Sequence, residues 1–130
     1  MLFSKATIFT TATTLAGLVS AQNTKVHVVE VGASGLKFTP ESIDAAVGDH
    51  VQFQFNPGSH SVARSDFANP CAPLDPAVMS GGFFSGFMPV KSEDKYMPTF
   101  TVLVNETAPI WFYCATAPHC ERGMVGVINP

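Results

Sequence analysis

The chain is poor in charged residues, and those it has form no basic cluster. Lysine and arginine number seven, aspartate and glutamate number ten, and charged residues make up 13% of the 130 residues. Proteins that bind nucleic acid or an anionic membrane surface present a concentrated basic patch to the phosphate groups. The composition therefore argues against a nucleic-acid partner and against an anionic membrane surface. A neutral or basic protein partner suits the acidic balance better.

No apolar run is long enough to span a membrane. The apolar and threonine-rich stretch at residues 6–19 is shorter and more polar than the roughly 20 apolar residues of a spanning helix. It follows Lys5 and precedes Val19-Ser20-Ala21, which is the arrangement of a secretory signal with a small-residue cleavage site. We expect residues 1–21 to be a signal peptide and residues 22–130 to form one secreted, extracellular domain.

The sequence also lacks an amphipathic helix of normal length. Short runs of alternating apolar and polar residues, separated by Gly, Pro and Asn, are typical of β-strands. The expected strands cover residues 25–31, 36–38, 43, 51–55, 100–104, 110–114 and 124–128. Such a set predicts an all-β domain with a Greek-key sandwich or barrel architecture. Residues 64–98, rich in Gly, Pro and Ser, break the pattern and are expected to form one long irregular loop.

Cysteine and histidine are scarce, with three and four residues, yet some of them stand close together near the C-terminus. The run CATAPHCERGM places Cys114, His119 and Met124 in one loop between two expected strands. His60 follows the strand at residues 51–55, beyond a short turn. One thiolate, two imidazoles and a weak axial thioether are the ligands of a type 1, or blue, copper site. We therefore predict that His60, Cys114, His119 and Met124 bind one copper ion.

The residues between these ligands suit a loop that turns back on itself. Cys114 and His119 are five positions apart, so a continuous strand would place them on opposite faces. Pro118 cannot donate to a sheet ladder and favours the end of the preceding strand. Gly123 is expected to allow close backbone approach beside Met124. Zinc also accepts Cys and His ligands, but an axial Met favours copper.

Three cysteines in an oxidising compartment leave one of them unpaired. Cys120 directly follows His119, and in an extended segment their side chains point apart. Cys120 is thus a poor second ligand and a good disulfide partner, and Cys71 is the remaining candidate. A Cys71–Cys120 bridge would contribute ~4 kcal/mol in the chain-entropy model. The open alternative pairs Cys114 with either of the other two, which would remove the thiolate from the copper site.

The chain resembles the cupredoxins, and its C-terminal loop is most similar to the phytocyanin, or plastocyanin-like, pattern. The segments VGDHVQFQF, NPGSHSV, FANPCAPL, GGFFSGF and IWFYCATAPHC together resemble secreted fungal cupredoxin-like proteins. The resemblance covers residues 25–130 and implies a Greek-key β-sandwich that holds type 1 copper. It implies the ligands His60, Cys114, His119 and Met124 and a disulfide between Cys71 and Cys120. Ser61 stands where many plant relatives have Asn.

These features favour a one-electron carrier outside the cell, whose partner is an unknown redox protein or a small-molecule reductant or oxidant. A copper-buffering protein, or a cell-wall or host-interaction module without a redox role, are the alternatives. An enzyme is not expected, because a multicopper oxidase needs a trinuclear cluster fed by many histidines in HxH pairs. We expect the protein to be a monomer. Asn105 begins the sequon Asn-Glu-Thr in an expected surface turn, which predicts N-glycosylation of Asn105.

Overall fold

The structure, a computed structural model, describes residues 7–18, 22–77 and 79–130, and its regular elements are ten short strands and one 3₁₀ turn. The 3₁₀ turn covers Cys120–Arg122. The strands in chain order are β1 (Val26–Val31), β2 (Phe38–Thr39), β3 (Ser42–Ile43), β4 (His50–Phe55), β5 (Gly58–His60), β6 (Ala63–Ser65), β7 (Met88–Val90), β8 (Thr99–Leu103), β9 (Ile110–Tyr113) and β10 (Val125–Ile128).

Two four-stranded sheets enclose a common core. The first has the strand order β2-β1-β4-β8 and the second the order β3-β10-β9-β6, while β5 and β7 form a small third sheet. The β1–β4 and β3–β10 pairs are parallel, and the other pairs are antiparallel. Each sheet is open at both ends, so the predicted all-β fold is confirmed as a sandwich and not as a closed barrel.

Alternation along the strands places the core as the sequence predicted. In β4 the side chains of Val51, Phe53 and Phe55 are fully buried, and the intervening residues are partly exposed. Phe53 meets Phe112 of the opposite sheet edge-to-face, with ring centroids 5.1 Å apart. Such an aromatic pair contributes ~0.5–1.5 kcal/mol beyond the burial of its area. The pair therefore joins the two sheets at the centre of the core.

The predicted irregular loop at residues 64–98 contains structure at both ends. Part of β6 lies at its start and β7 lies near its finish, and neither was predicted from the sequence. Three-residue strands show no readable alternation, and these two depend on pairing with β9 and β5. Of the aromatic residues in this segment, Phe83 packs against the core, whereas Phe84 and Phe87 are about half exposed.

A buried arginine attaches this segment to the sandwich. Arg64 is 4% exposed, and its Nη1 donates to the Gly81 carbonyl at 3.0 Å and lies 2.8 Å from Oε1 of Glu106. A buried charge is tolerated where it is paired and hydrogen-bonded. Arg64 thus joins the long segment to the turn between β8 and β9.

The predicted signal peptide is only partly described. Residues 7–18 form neither helix nor strand and are exposed. Residues 1–6 and 19–21, which include Lys5 and the predicted cleavage site at Val19-Ser20-Ala21, lie outside the described residues. Among the residues that are described, no helix has the length and apolar character needed to cross a membrane.

Candidate metal centre

The side chains of His60, Cys114 and His119 converge where β5 meets the loop between β9 and β10. One potential ligand atom from each lies within 4.8 Å of those from the other two. The Cys114 Sγ is 3.5 Å from Nδ1 of His119, and the two imidazole ring centroids are 5.1 Å apart. His60 is 4% exposed and Cys114 is 1% exposed, whereas His119 is half-buried. An ion held here would be shielded from solvent except on the His119 side.

Backbone hydrogen bonds close the loop that carries three of the predicted ligands. β9 ends at Tyr113, and the Cys114 N–H then donates to the Met124 carbonyl at 3.1 Å. The Met124 N–H donates in turn to the His119 carbonyl at 3.0 Å. Met124 is fully buried and belongs to the same core cluster as Cys114. The loop therefore turns back on itself, as the spacing of the ligands predicted.

The expectation that Gly123 allows close backbone approach is wrong. A Cβ atom at this position would meet nothing within 4 Å. Gly123 instead ends the 3₁₀ turn with φ at +98°, and its N–H donates to the Cys120 carbonyl at 2.8 Å. Left-handed backbone favours glycine because other residues pay a steric cost there. Glycine is favoured at this position because the backbone adopts a left-handed conformation between the 3₁₀ turn and Met124.

The disulfide joins Cys71 to Cys120, as predicted, and Cys114 keeps a free, buried thiol. The alternative in which Cys114 is cross-linked is not what the structure shows. Because Cys120 directly follows His119, the bridge attaches the candidate ligand loop to the long segment that contains Cys71. The thiol that copper would need is left available.

Two glycines form a cradle around the His60 imidazole, and sequence analysis identified neither. An ideal Cβ on Gly32 would lie 2.3 Å from Nε2 of His60, and one on Gly58 would lie 2.7 Å from the same atom. Both glycines have positive φ, +77° and +123°. In the sequence they appear as ordinary turn residues. Gly58 is two positions before His60, but nothing around Gly32 indicates that this imidazole packs against it.

The surroundings of His60 favour a neutral ring with one free nitrogen. Burial lowers the pKa of His60 below its ordinary value, the nearby His119 lowers the pKa further, and a backbone hydrogen bond to Pro57 acts in the opposite direction. Its Nδ1 is buried and has no hydrogen-bond partner among the described residues. A metal-binding imidazole must be neutral. The orphaned nitrogen and the free buried thiol of Cys114 therefore fit a thiolate–imidazole metal such as copper.

Ser61 connects the His60 side of the centre to the Cys114 side. It is fully buried, and its N–H points to the Cys114 Sγ at 3.4 Å. Its Oγ accepts a hydrogen bond from the Ala115 N–H at 2.8 Å and lies 3.9 Å from the same sulfur. Groups that hydrogen-bond a ligand orient it and tune the metal. The serine that departs from the plant pattern thus links the two ligand segments.

Two surface cavities lie near the candidate centre, and only one borders the imidazoles. A hollow of about 330 Å³ is lined by His60 and His119 together with Gly32 and Pro57. A larger groove of about 510 Å³ runs between Arg64 and the long segment and does not contact either imidazole. The smaller hollow is therefore the one that gives the centre an opening to the surface.

Comparisons with known proteins agree with this geometry, although no protein-family model matches the chain. A probable GPI-anchored cupredoxin-1 of Arthroderma benhamiae is 39% identical over 120 residues, which make up 92% of this chain and 58% of that protein. An extracellular serine-rich protein of the same fungus is 37% identical over 118 residues, 91% of this chain and 43% of that protein. The chain thus spans about half the length of these relatives.

Among solved structures, a mutant plastocyanin of a fern aligns with a TM-score of 0.53 and 27% identity, over 78% of this chain and 96% of that chain. The open β-sandwich, the cluster of one thiol and two imidazoles, and the similarity along most of the sequence all point to one family. The chain is similar to the cupredoxins in sequence and has a cupredoxin-like fold.

Proposed function

We propose that this chain is a secreted type 1 copper protein that carries single electrons outside the cell. The convergence of the Cys114 thiol with the His60 and His119 imidazoles is the observation that carries this proposal. Copper bound to such a set supplies a centre that alternates between Cu(I) and Cu(II). The residues themselves hold the donor atoms together and exclude water from most of the centre.

Each proposed ligand has a distinct task. The Cys114 sulfur is the soft donor, and the Ser61 N–H points at it and fixes its position. His60 and His119 are the imidazole donors, and the glycine cradle limits the movement of His60. Met124 would supply a weak thioether donor, since its backbone is hydrogen-bonded to both Cys114 and His119 and its side chain is buried. Because these donor atoms are held in place, they would move little when a bound copper ion gains or loses an electron.

His119 is the proposed port for electrons. It is the most exposed of the three converging side chains, and it borders the surface hollow beside the centre. A redox protein, or a small-molecule reductant or oxidant, would approach there. The mature acidic balance, with six basic and ten acidic side chains after loss of Lys5, favours a neutral or basic partner.

An extracellular location is proposed from the sequence and its relatives. Two similar proteins are described as GPI-anchored and as extracellular. The signal-like order of residues 1–21 agrees with them and leaves residues 22–130 as the mature domain. Asn105 is exposed in the turn after β8, as a glycosylated sequon requires.

The visible spectrum of the Cu(II)-loaded mature protein tests the proposal. We expect an intense blue or green colour from charge transfer between the Cys114 sulfur and copper. The Cys114→Ser variant should lose this colour while its far-ultraviolet circular dichroism still shows the β fold. A colourless Cu(II) complex of the wild type would exclude a type 1 site. A coloured site with slow electron exchange would favour the copper-buffering alternative, and so would an inaccessible Cu(I) state.

Voltammetry tests the proposed role of Met124. A weak thioether contributes little to affinity but favours Cu(I) relative to harder axial donors. We expect Met124→Leu to raise the reduction potential and Met124→Gln to lower it, with colour retained in both variants. Met97→Leu is the control, because it makes the same exchange at a side chain that is 47% exposed and lies in the segment before β8. Unchanged potentials in both Met124 variants would mean that Met124 only fills the core.

A further inference from the structure

β8 lies at the end of the first sheet, and one side of its backbone has no partner strand. The Phe55 N–H donates to the Pro98 carbonyl, and the Val104 N–H donates to the Asp49 carbonyl, just before and just after β8. In an antiparallel ladder, backbone groups of alternate residues point the same way. With this register, the backbone N–H and C=O groups of Phe100 and Val102 point towards β4.

The backbone groups of Thr99, Thr101 and Leu103 consequently point away from the sheet. Within the described part of the chain, none of these groups makes a backbone hydrogen bond to a neighbouring segment. Both threonine side chains are exposed, and Leu103 is 52% exposed. The strand contains no charged residue and no proline. An open edge of this composition is a template for another strand.

The other ends of the two large sheets offer shorter stretches of open backbone. β2 and β3 have two residues each, which is too short to offer a continuous ladder. β2 pairs only with Glu30 and Val31, so within the described chain Val26–Val29 of β1 also lack a partner on the side away from β4. β6 is covered by the long segment: the Arg64 N–H donates to the Phe83 carbonyl at 3.0 Å, and the Leu74 N–H donates to the Arg64 carbonyl at 2.9 Å. β8, with five residues, is therefore the longest uncovered sheet edge in the described ranges.

The glycosylation sequon lies immediately beyond this edge. Asn105 is exposed and is two residues past Leu103, the last residue of β8. Two residues span at most ~7 Å, so a glycan attached to Asn105 begins beside the last unpaired backbone groups. A bulky, solvated glycan at this place obstructs the approach of a second strand.

We propose that an N-linked glycan on Asn105 masks the open edge of β8 and keeps the protein monomeric. Without the glycan, the occupant of the edge is a second copy of this chain. The two β8 strands pair antiparallel about a twofold axis at Thr101, which faces its own copy, and Thr99 faces Leu103. Each of these facing pairs exchanges two backbone hydrogen bonds. A twofold arrangement of this kind is self-complementary and closes as a dimer.

The proposal rests on the secretion part of the proposed function, because N-glycans are added in the secretory pathway. The test is expression of the full chain in a secreting yeast, followed by mass spectrometry of Asn105 and sedimentation velocity over a range of concentrations. Thr107→Ala removes the sequon and keeps Asn105 itself. Thr107→Ser keeps the sequon and is the matched control. Enzymatic removal of the glycan from wild-type protein provides a second route to the unmasked edge.

We expect wild type and Thr107→Ser to be glycosylated monomers. The Thr107→Ala protein and the deglycosylated wild type should dimerise at concentrations at least tenfold lower than any at which the glycosylated proteins do. Adding Thr101→Lys to Thr107→Ala should restore the monomer, because a charge then lies at the centre of the paired strands. Thr101→Pro should do the same, since it removes only an outward N–H and leaves the ladder to β4 intact.

Three results would overturn the proposal: an unmodified Asn105 in secreted wild type, a Thr107→Ala protein that stays monomeric, or dimers that both Thr101 variants leave unchanged. The visible spectrum of each copper-loaded protein is recorded separately. Failure of the copper proposal would appear as lost colour in wild type whatever the oligomeric state, so the two proposals fail in different measurements.

Discussion

The candidate centre has two halves that differ in how the chain builds them. One half is a single loop, in which Cys114, His119 and Met124 lie within eleven consecutive residues joined by local backbone hydrogen bonds. The other half is His60, which is held by Gly32 from a distant turn and by Gly58 next to it. The first half can be recognised in the sequence. The second depends on contacts that form only in the folded chain, so the position of the His60 imidazole is set by packing.

The largest expected effect comes from filling the cradle of the second half. Gly32→Ala places a Cβ where the His60 Nε2 now lies, at 2.3 Å, and must displace the imidazole. Changes of this kind around a ligand typically lower metal affinity 10–100-fold, and we expect a loss of that order. A competitive copper titration measures it.

Gly35→Ala is the matched control for the cradle. Gly35 also has positive φ, at +94°, but a Cβ there would meet nothing within 4 Å. Both variants should lose about 1–2 kcal/mol of stability from left-handed backbone. Only Gly32→Ala should lose copper affinity, and equal affinities would show that the cradle does not position His60.

A smaller effect is expected where the two halves meet. Ser61→Ala removes the acceptor of the Ala115 N–H, so the His60 segment is no longer hydrogen-bonded to the Cys114 segment through this side chain. We expect a loss of roughly 1 kcal/mol in the unfolding free energy of the metal-free protein, measured by urea denaturation. Ser59→Ala, at an exposed serine two residues before Ser61, should change it by less than about 0.5 kcal/mol. The account of Ser61 fails if the two variants are equally stable.

The smallest effect on the centre should come from a polar cluster that belongs to neither half. Asp49 accepts hydrogen bonds from His27 at 2.8 Å, from the Lys25 N–H at 3.0 Å and from the Ala46 N–H at 3.1 Å. These bonds, that from His27 foremost, lower the pKa of Asp49 from 3.8 to about 2. Because the pKa of Asp49 is lower in the folded chain than in the unfolded chain, its carboxylate stabilises the fold at pH values above 3.8. This contribution is lost as the pH falls from 3.8 towards 2.

Asp49→Asn should therefore reduce stability at neutral pH and flatten its decline between pH 4 and pH 2. The copper spectrum should stay as in wild type. Asp44→Asn is the control, because Asp44 is exposed and makes no side-chain hydrogen bond in the described residues. Thermal unfolding followed over this pH range checks the prediction. An unchanged pH profile for Asp49→Asn would show that this cluster does not support the fold.

The same contrast explains which features could be predicted from the sequence. Alternation predicted β4 correctly, since one face of that strand is buried and the other is not. The ligand loop and the pairing of Cys71 with Cys120 followed from short-range chemistry and resemblance. β6 and β7 were missed, because their pairing with distant strands, and not their own sequence, makes them strands.

The role of a glycine in this fold is poorly marked in the sequence. Gly123 was identified for the wrong reason, since positive φ and close approach leave the same mark in a sequence. Gly32 and Gly58 were missed because the atom that requires them belongs to His60, and nothing around Gly32 in the sequence names that partner. Ser61 was noted as a departure from the plant pattern, but its contacts with Cys114 and Ala115 became visible only in the fold.

X-ray absorption at the copper edge of the Cu(II)-loaded wild-type protein tests the central claim, that the two halves bind one ion together. The claim requires the Cys114 sulfur from the loop and the His60 nitrogen from the cradle in the same ligand shell. We predict one short copper–sulfur distance and two imidazole nitrogens, with one imidazole lost in His60→Ala. A shell of nitrogen and oxygen atoms alone, or a shell that His60→Ala leaves unchanged, would contradict the account.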